Sequence, residues 1–213
     1  MSERAQSVGE ERANCVSHAA ALLAAMLALP WLLLSCAGRE PGHATLIGVA
    51  SFAVTLLLLY LTSALYHGLP DGRSKRLFLR LDHGAIYLFI AGSYTPFAMG
   101  SLDQPSGETM LTLVWVMALA GFVLKLWGRL SHPWLSTGLY LAMGWFVLIA
   151  AVPLIERVPA DGVAWLIYGG VAYTTGVAFF ALDSRLRYAH AVWHGFVVVG
   201  TGCHFVAVQG FTR

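Results

Sequence analysis

The sequence predicts an all-α integral membrane protein, a seven-transmembrane helix bundle, and three observations predict it. Hydrophobic residues make up 58% of the 213 and charged residues only 11%. Apolar runs of about 20 residues, the length that crosses a bilayer core, recur along the chain. The charged residues collect in the short breaks between those runs. A chain of 213 residues has room for seven such crossings and little for a soluble domain, so any chemistry must reside in the bundle.

Residues 1–15 are polar, with Arg4 and Arg12 set against Glu3, Glu10 and Glu11, and read as a short cytoplasmic tail with no structure before Glu10. Residues 16–213 then form a single seven-helix transmembrane domain, with spans at 16–38, 44–67, 82–101, 108–128, 133–155, 162–182 and 188–211. The first span contains Leu33-Leu34-Ser35-Cys36-Ala37, loosely like a lipoprotein cleavage site. Its apolar run is long for a signal peptide, however, and the tail before it is as acidic as it is basic. Pro96 interrupts the third span and predicts a kink, with freed backbone groups that neighbouring helices must satisfy. In the sixth, Gly169, Gly170 and Gly176 permit close helix contact. The seventh carries no Asp, Glu, Lys or Arg from Ala189 to Phe211, yet it holds His190, His194 and His204. Trp127, Trp134 and Trp165, near span ends, suit an interfacial aromatic belt. Every break is short, so consecutive helices should be antiparallel neighbours.

Positive charge sets the orientation. With the amino terminus cytoplasmic and the carboxyl terminus outside, the inner segments hold Arg4, Arg12, Arg73, Lys75, Arg76, Arg80, Lys125, Arg129, Arg185 and Arg187. The outer segments hold only Arg39, Arg157 and Arg213, which satisfies the positive-inside rule. Topology thus accounts for the basic residues, and nothing supports nucleic-acid binding. Cys15, Cys36 and Cys203 are odd in number and far apart, which argues against a disulfide framework or a thiolate zinc site.

The same topology gathers the unusual polar residues. The second span ends on the inner side with Ser63 and His67, the third starts there with Asp82 and His83, and the seventh starts there with His190 and His194. His190 and His194 are one helical turn apart, about 40° around the axis and roughly 6 Å along it, so two imidazoles share a face. An intramembrane histidine is a functional-site hypothesis by default, because in hydrocarbon it must find a partner. Three imidazoles with one open position make a catalytic type of zinc site, in which Asp82 would be a partner or general base and not a ligand. Ser63, one turn before His67, could hydrogen-bond water or substrate. Taken singly, His67 and His190 also suit interfacial positions, and Asp82 also suits a helix start facing the positive end of the dipole. His83 points about 100° away from Asp82 and suits a structural place among headgroups. His18 lies at the level of the site, whereas His204 is some 15 Å deeper than His194, too far to share its metal.

Ser63-x-x-x-His67, Leu81-Asp82-His83, Ala91-Gly92-Ser93-Tyr94-Thr95-Pro96 and His190-x-x-x-His194, with Glu11-Arg12-Ala13-Asn14 and Ser17-His18 before them, resemble the bacterial hemolysin III family. That family groups with the progestin and adipoQ receptors and is distantly similar to the alkaline ceramidases. The resemblance covers nearly the whole chain and implies a zinc ion near the cytoplasmic side, held by His67, His190 and His194, with Asp82 and Ser63 beside it. It implies the site better than the reaction. The leading expectation is a zinc-dependent intramembrane hydrolase acting on a lipid amide or ester that enters laterally from the bilayer of the cell membrane. The alternatives are a zinc-containing sensor or regulator of membrane state, and a haemolytic membrane-damaging protein as the family name suggests. A membrane lipid is the expected substrate or ligand, and no protein partner is indicated.

Overall fold

The computed structural model describes residues 6–37, 43–101, 105–146, 148 and 158–211. Among them are seven α-helices and no strand: α1 (Val8–Ala37), α2 (His43–Gly68), α3 (Arg73–Ser101), α4 (Pro105–Leu126), α5 (Pro133–Trp145), α6 (Ala160–Ala181) and α7 (Ala189–Phe211). Five of these, α1, α2, α4, α6 and α7, are long and apolar enough to cross a membrane on their own. The basic first half of α3 and the 13 described residues of α5 keep those two from qualifying. Leu27, Leu34 and Trp127 stand 82%, 73% and 71% exposed on the outside of the bundle, a surface suited to lipid. Residues Arg4, Arg39, Asp103, Glu156, Arg157 and Arg213, and most of the fifth span beyond residue 145, lie outside the described residues.

Two helix starts differ from the sequence reading. α1 begins at Val8, within the stretch read as a tail, because Ser7-Val8-Gly9-Glu10 forms a capping box. The Ser7 N–H and hydroxyl donate to Glu10 Oε2 at 2.9 and 2.7 Å, and the Glu10 N–H donates to Ser7 Oγ at 3.4 Å. α3 begins at Arg73, well before the predicted 82, so the basic residues read as a loop lie on its first turns. Asp82 therefore sits inside α3, more than two turns from its start, and the helix dipole does not account for it.

Helix α1 packs on α2, α2 on α3, α3 on α4, and α6 on α7, while α7 returns to touch α1 and α3. α5 departs from simple succession by packing chiefly against α3 and α6. Apolar side chains of α1, α2, α3 and α7, including Leu32, Phe52, Leu56, Phe89 and Val208, form one core cluster. A second, around Tyr87, Tyr94, Val114 and Met143, joins α3, α4 and α5. Lipid is as apolar as these side chains, so association rests on close packing. Glycines supply it: a Cβ on Gly169 would meet the His204 ring, one on Gly176 would stand 2.8 Å from Phe196 Cβ, and one on Gly170 would touch Trp145 of α5.

The run from Ala91 to Pro96 is a packing device. Gly92 leaves room for Thr55, the Tyr94 hydroxyl reaches the Met143 and Gly144 carbonyls at 2.8 and 2.9 Å, and Thr95 Oγ1 accepts the Trp115 Nε1–H at 3.1 Å. Pro96 lies inside α3, which continues to Ser101, and a Cβ on Gly48 of α2 would stand 2.7 Å from Pro96 Cα. α4 ends in a Schellman motif, with Gly128 at φ 70° and N–H···O bonds from Gly128 to Lys125 at 3.0 Å and from Arg129 to Leu124 at 2.9 Å.

Candidate metal centre

Two helix ends bring three histidines together. His67 is the penultimate residue of α2, and His190 and His194 occupy the first two turns of α7. All three are buried, and one ring nitrogen from each lies within 4.8 Å of the others. Ring centroids are 5.1 Å apart for His67 and His190, 5.2 Å for His67 and His194, and 4.8 Å for His190 and His194. The three residues singled out from the sequence thus form one cluster, and among the described residues no other group of histidine, cysteine and acidic side chains converges in this way.

Hydrogen bonds assign the tautomers. His67 Nδ1 lies 2.7 Å from Glu11 Oε2, His190 Nδ1 lies 3.1 Å from Asp183 Oδ2, and His194 Nδ1 lies 3.2 Å from the Asn14 carbonyl. An ionised carboxylate and a carbonyl only accept, so each Nδ1 carries the proton. Ser17 supports the third case: its hydroxyl donates to the Asn14 carbonyl at 2.8 Å, leaving its oxygen to accept from His194 Nδ1 at 3.0 Å. In the neutral ring every Nε2 then bears a lone pair. All three Nε2 atoms are buried and have no hydrogen-bond partner. Buried polar atoms are almost always partnered, and three orphaned lone pairs on three clustered rings are a group that could hold a metal ion.

Asp82 and Ser63 are also buried, 6% and 1% exposed, and their side chains face each other across the α2–α3 seam. The Ser63 hydroxyl has no partner of full hydrogen-bonding geometry. Asp82 is outside the converging group of His67, His190 and His194. His18 stacks on His194 with centroids 3.6 Å apart and planes 7° apart, so it packs against the cluster from α1. His83 is half-buried, and its carbonyl accepts the Tyr140 hydroxyl at 2.7 Å. His204 is apart from the cluster, edge-on to Tyr173 at 5.3 Å.

Sequence reasoning quoted Glu11, Asn14 and Ser17 of α1 only as part of a family pattern and gave them no role behind the rings, and it missed Asp183, in the turn before α7. One signal was present, since the capping box places Glu11, Asn14 and Ser17 inside a helix running toward the site.

Over residues 6–205 the sequence matches the family described as Haemolysin-III related. It is 36% identical over 210 residues to Hemolysin-3 of Bacillus cereus, covering 98% of this chain and 94% of that protein. It is 37% identical over 202 residues to the Hemolysin-3 homolog of Bacillus subtilis, covering 95% of this chain and 94% of that protein. A more distant similarity, 28% over 205 residues, joins it to the human monocyte to macrophage differentiation factor, with 93% of this chain and 83% of that protein covered.

Proposed function

We propose that this chain, which belongs to the haemolysin-III related family and is a multi-pass membrane protein, is a zinc-dependent intramembrane hydrolase of a lipid amide or ester. The observation that supports this reading most is the cluster of three orphaned Nε2 atoms, each on a ring whose Nδ1–H is already given to an oxygen. Neutral imidazoles fixed in this tautomer are ready ligands without further rearrangement of protons. Three nitrogen ligands and no thiolate match zinc sites that keep a coordination position for chemistry, although imidazole alone also suits copper, iron and nickel. When bound, zinc would supply Lewis acidity, polarising a carbonyl and making a water acidic enough to attack it near neutral pH.

The protein's own groups take the other parts. The Asp82 carboxylate, buried beside Ser63, accepts the proton of the attacking water and returns it to the departing amine or alcohol. The Ser63 hydroxyl, facing Asp82 across the seam, orients the water or the substrate oxygen by hydrogen bonding. Burial of all five side chains keeps bulk solvent away, and the lipid would have to enter laterally from the bilayer.

The test is hydrolysis of lipid amides and esters in mixed micelles by zinc-loaded protein, with released fatty acid measured by mass spectrometry. Asp82→Asn is expected to lose about 10²- to 10⁴-fold in turnover while keeping its zinc, and His194→Ala to lose both. Equal release by wild type and Asp82→Asn would refute the assignment. Dye leakage from liposomes without any lipid product would instead favour membrane lysis, the activity named in the two bacterial relatives.

A further inference from the structure

The first turns of α1 grip both helices that carry the histidines. Glu11 accepts the His67 Nδ1–H on one oxygen at 2.7 Å and the Lys75 ammonium of α3 on the other at 3.0 Å. Beside it, Glu10 accepts the backbone N–H of Tyr188 at 3.0 Å; Tyr188, at φ 61°, lies two residues before His190 where α7 begins. One and two turns further along α1, the Asn14 carbonyl and the Ser17 hydroxyl meet His194. A stretch with the composition of a solvated tail therefore touches the site at three points.

An ordinary surface ion pair would explain Glu11 and Lys75, and such a pair stabilises a protein little. It does not explain the third member. The His67 side chain is 1% exposed, against 25% for Glu11 and 15% for Lys75, so the bond lies at the inner end of the Glu11 side chain's reach. Only the Nδ1–H tautomer of His67 satisfies an acceptor there, and only that tautomer leaves Nε2 free. Lys75 holds the carboxylate from the far side, and its ring-face contact with Tyr66, 5.2 Å from the centroid, fixes the ammonium in turn.

We infer that Glu11, braced by Lys75, is a positioning residue of the metal centre, holding His67 in the tautomer and orientation that turn its Nε2 toward His190 and His194. This rests on the metal-binding reading above, and it adds to that reading a role for α1 that the three ligands do not require.

The experiment uses the full chain in detergent, with zinc affinity read by competition against a chelator and geometry read from the visible spectrum of the cobalt(II) form. Glu11→Ala is expected to weaken zinc binding by about 10- to 100-fold and to change the cobalt bands, with stoichiometry recovered at saturating metal. Glu11→Gln, whose amide oxygen still accepts the Nδ1–H, should recover most of the affinity, and Lys75→Met should fall between the two. Affinity and spectrum unchanged in folded Glu11→Ala would overturn the inference, even if its melting temperature dropped. Should Glu11→Ala fail to fold, Lys75→Met decides: weakened binding supports the role, and wild-type affinity and spectrum overturn it. His67→Ala binding zinc as tightly as wild type would locate the failure in the metal site itself.

Discussion

Replacing Gly92 by alanine tests how the seam between α2 and α3 positions the chemistry. α2 carries Ser63 and His67, and α3 carries Lys75 and Asp82, so a change in their spacing moves both sides of the site. A Cβ at position 92 would press on Thr55 Oγ1 and stand 2.9 Å from Thr55 Cβ and 3.0 Å from its Cγ2. Thr55 has no easy escape. It is 5% exposed, and its hydroxyl donates toward the Ser51 and Phe52 carbonyls at 2.8 and 3.1 Å. Its branched Cβ also restricts χ1 within a helix. Either the helices part by several tenths of an ångström or Thr55 leaves its rotamer, and overpacking of this kind costs about 1–3 kcal/mol. The assay is unfolding in mixed detergent micelles, with zinc affinity measured on the same samples. Gly92→Ala is expected to lower stability by that amount and to weaken zinc binding. Thr55→Ala removes two of the three contacts, so the double variant should be more stable than the sum of the single losses by about 0.5 kcal/mol or more. A Gly92→Ala protein within about 0.5 kcal/mol of wild type, or strictly additive losses, would refute the steric argument.

Gly128→Ala, at φ 70° in the turn that closes α4, should cost about 1–2 kcal/mol because a Cβ is disfavoured in the left-handed region, and thermal melting would show it without any change in metal content. Stripping metal with a chelator should lower the melting temperature of the wild type, since a ligand at a hundred times its Kd contributes about 2.7 kcal/mol. An unchanged melting curve in the chelator would contradict a bound metal.

Much of the fold was legible because a bilayer makes hydropathy informative. What hydropathy reports, however, is the immersed part of a helix, and both misplaced starts follow from that. α3 carries Arg73, Lys75, Arg76 and Arg80 on turns that read as a loop, and α1 carries Glu10 and Glu11 on turns that read as a tail. The capping box from Ser7 to Glu10 is a local signal of the true start, hidden by the polar composition around it. The histidine cluster was legible through two kinds of information. The four-residue spacing put His190 and His194 on one face, and alternating topology put the end of α2 at the level of the start of α7. The pairing of the oxygens with the rings was not legible. Glu11 meets His67 from 56 positions away, and Asn14 meets His194 from 180, so no local pattern pairs them. The role of Ala91 to Pro96 was likewise hidden, because a glycine against Thr55 or Pro96 against Gly48 is a relation between helices.

His67, His190 and His194, remote in sequence, are proposed to form one metal centre. Elemental analysis of detergent-purified protein tests it most directly, with the wild type measured beside His67→Ala, His190→Ala and His194→Ala. One zinc per chain is expected in the wild type, lost in all three variants. A wild type that binds no metal after zinc loading, or variants that retain the wild-type metal content, would contradict it.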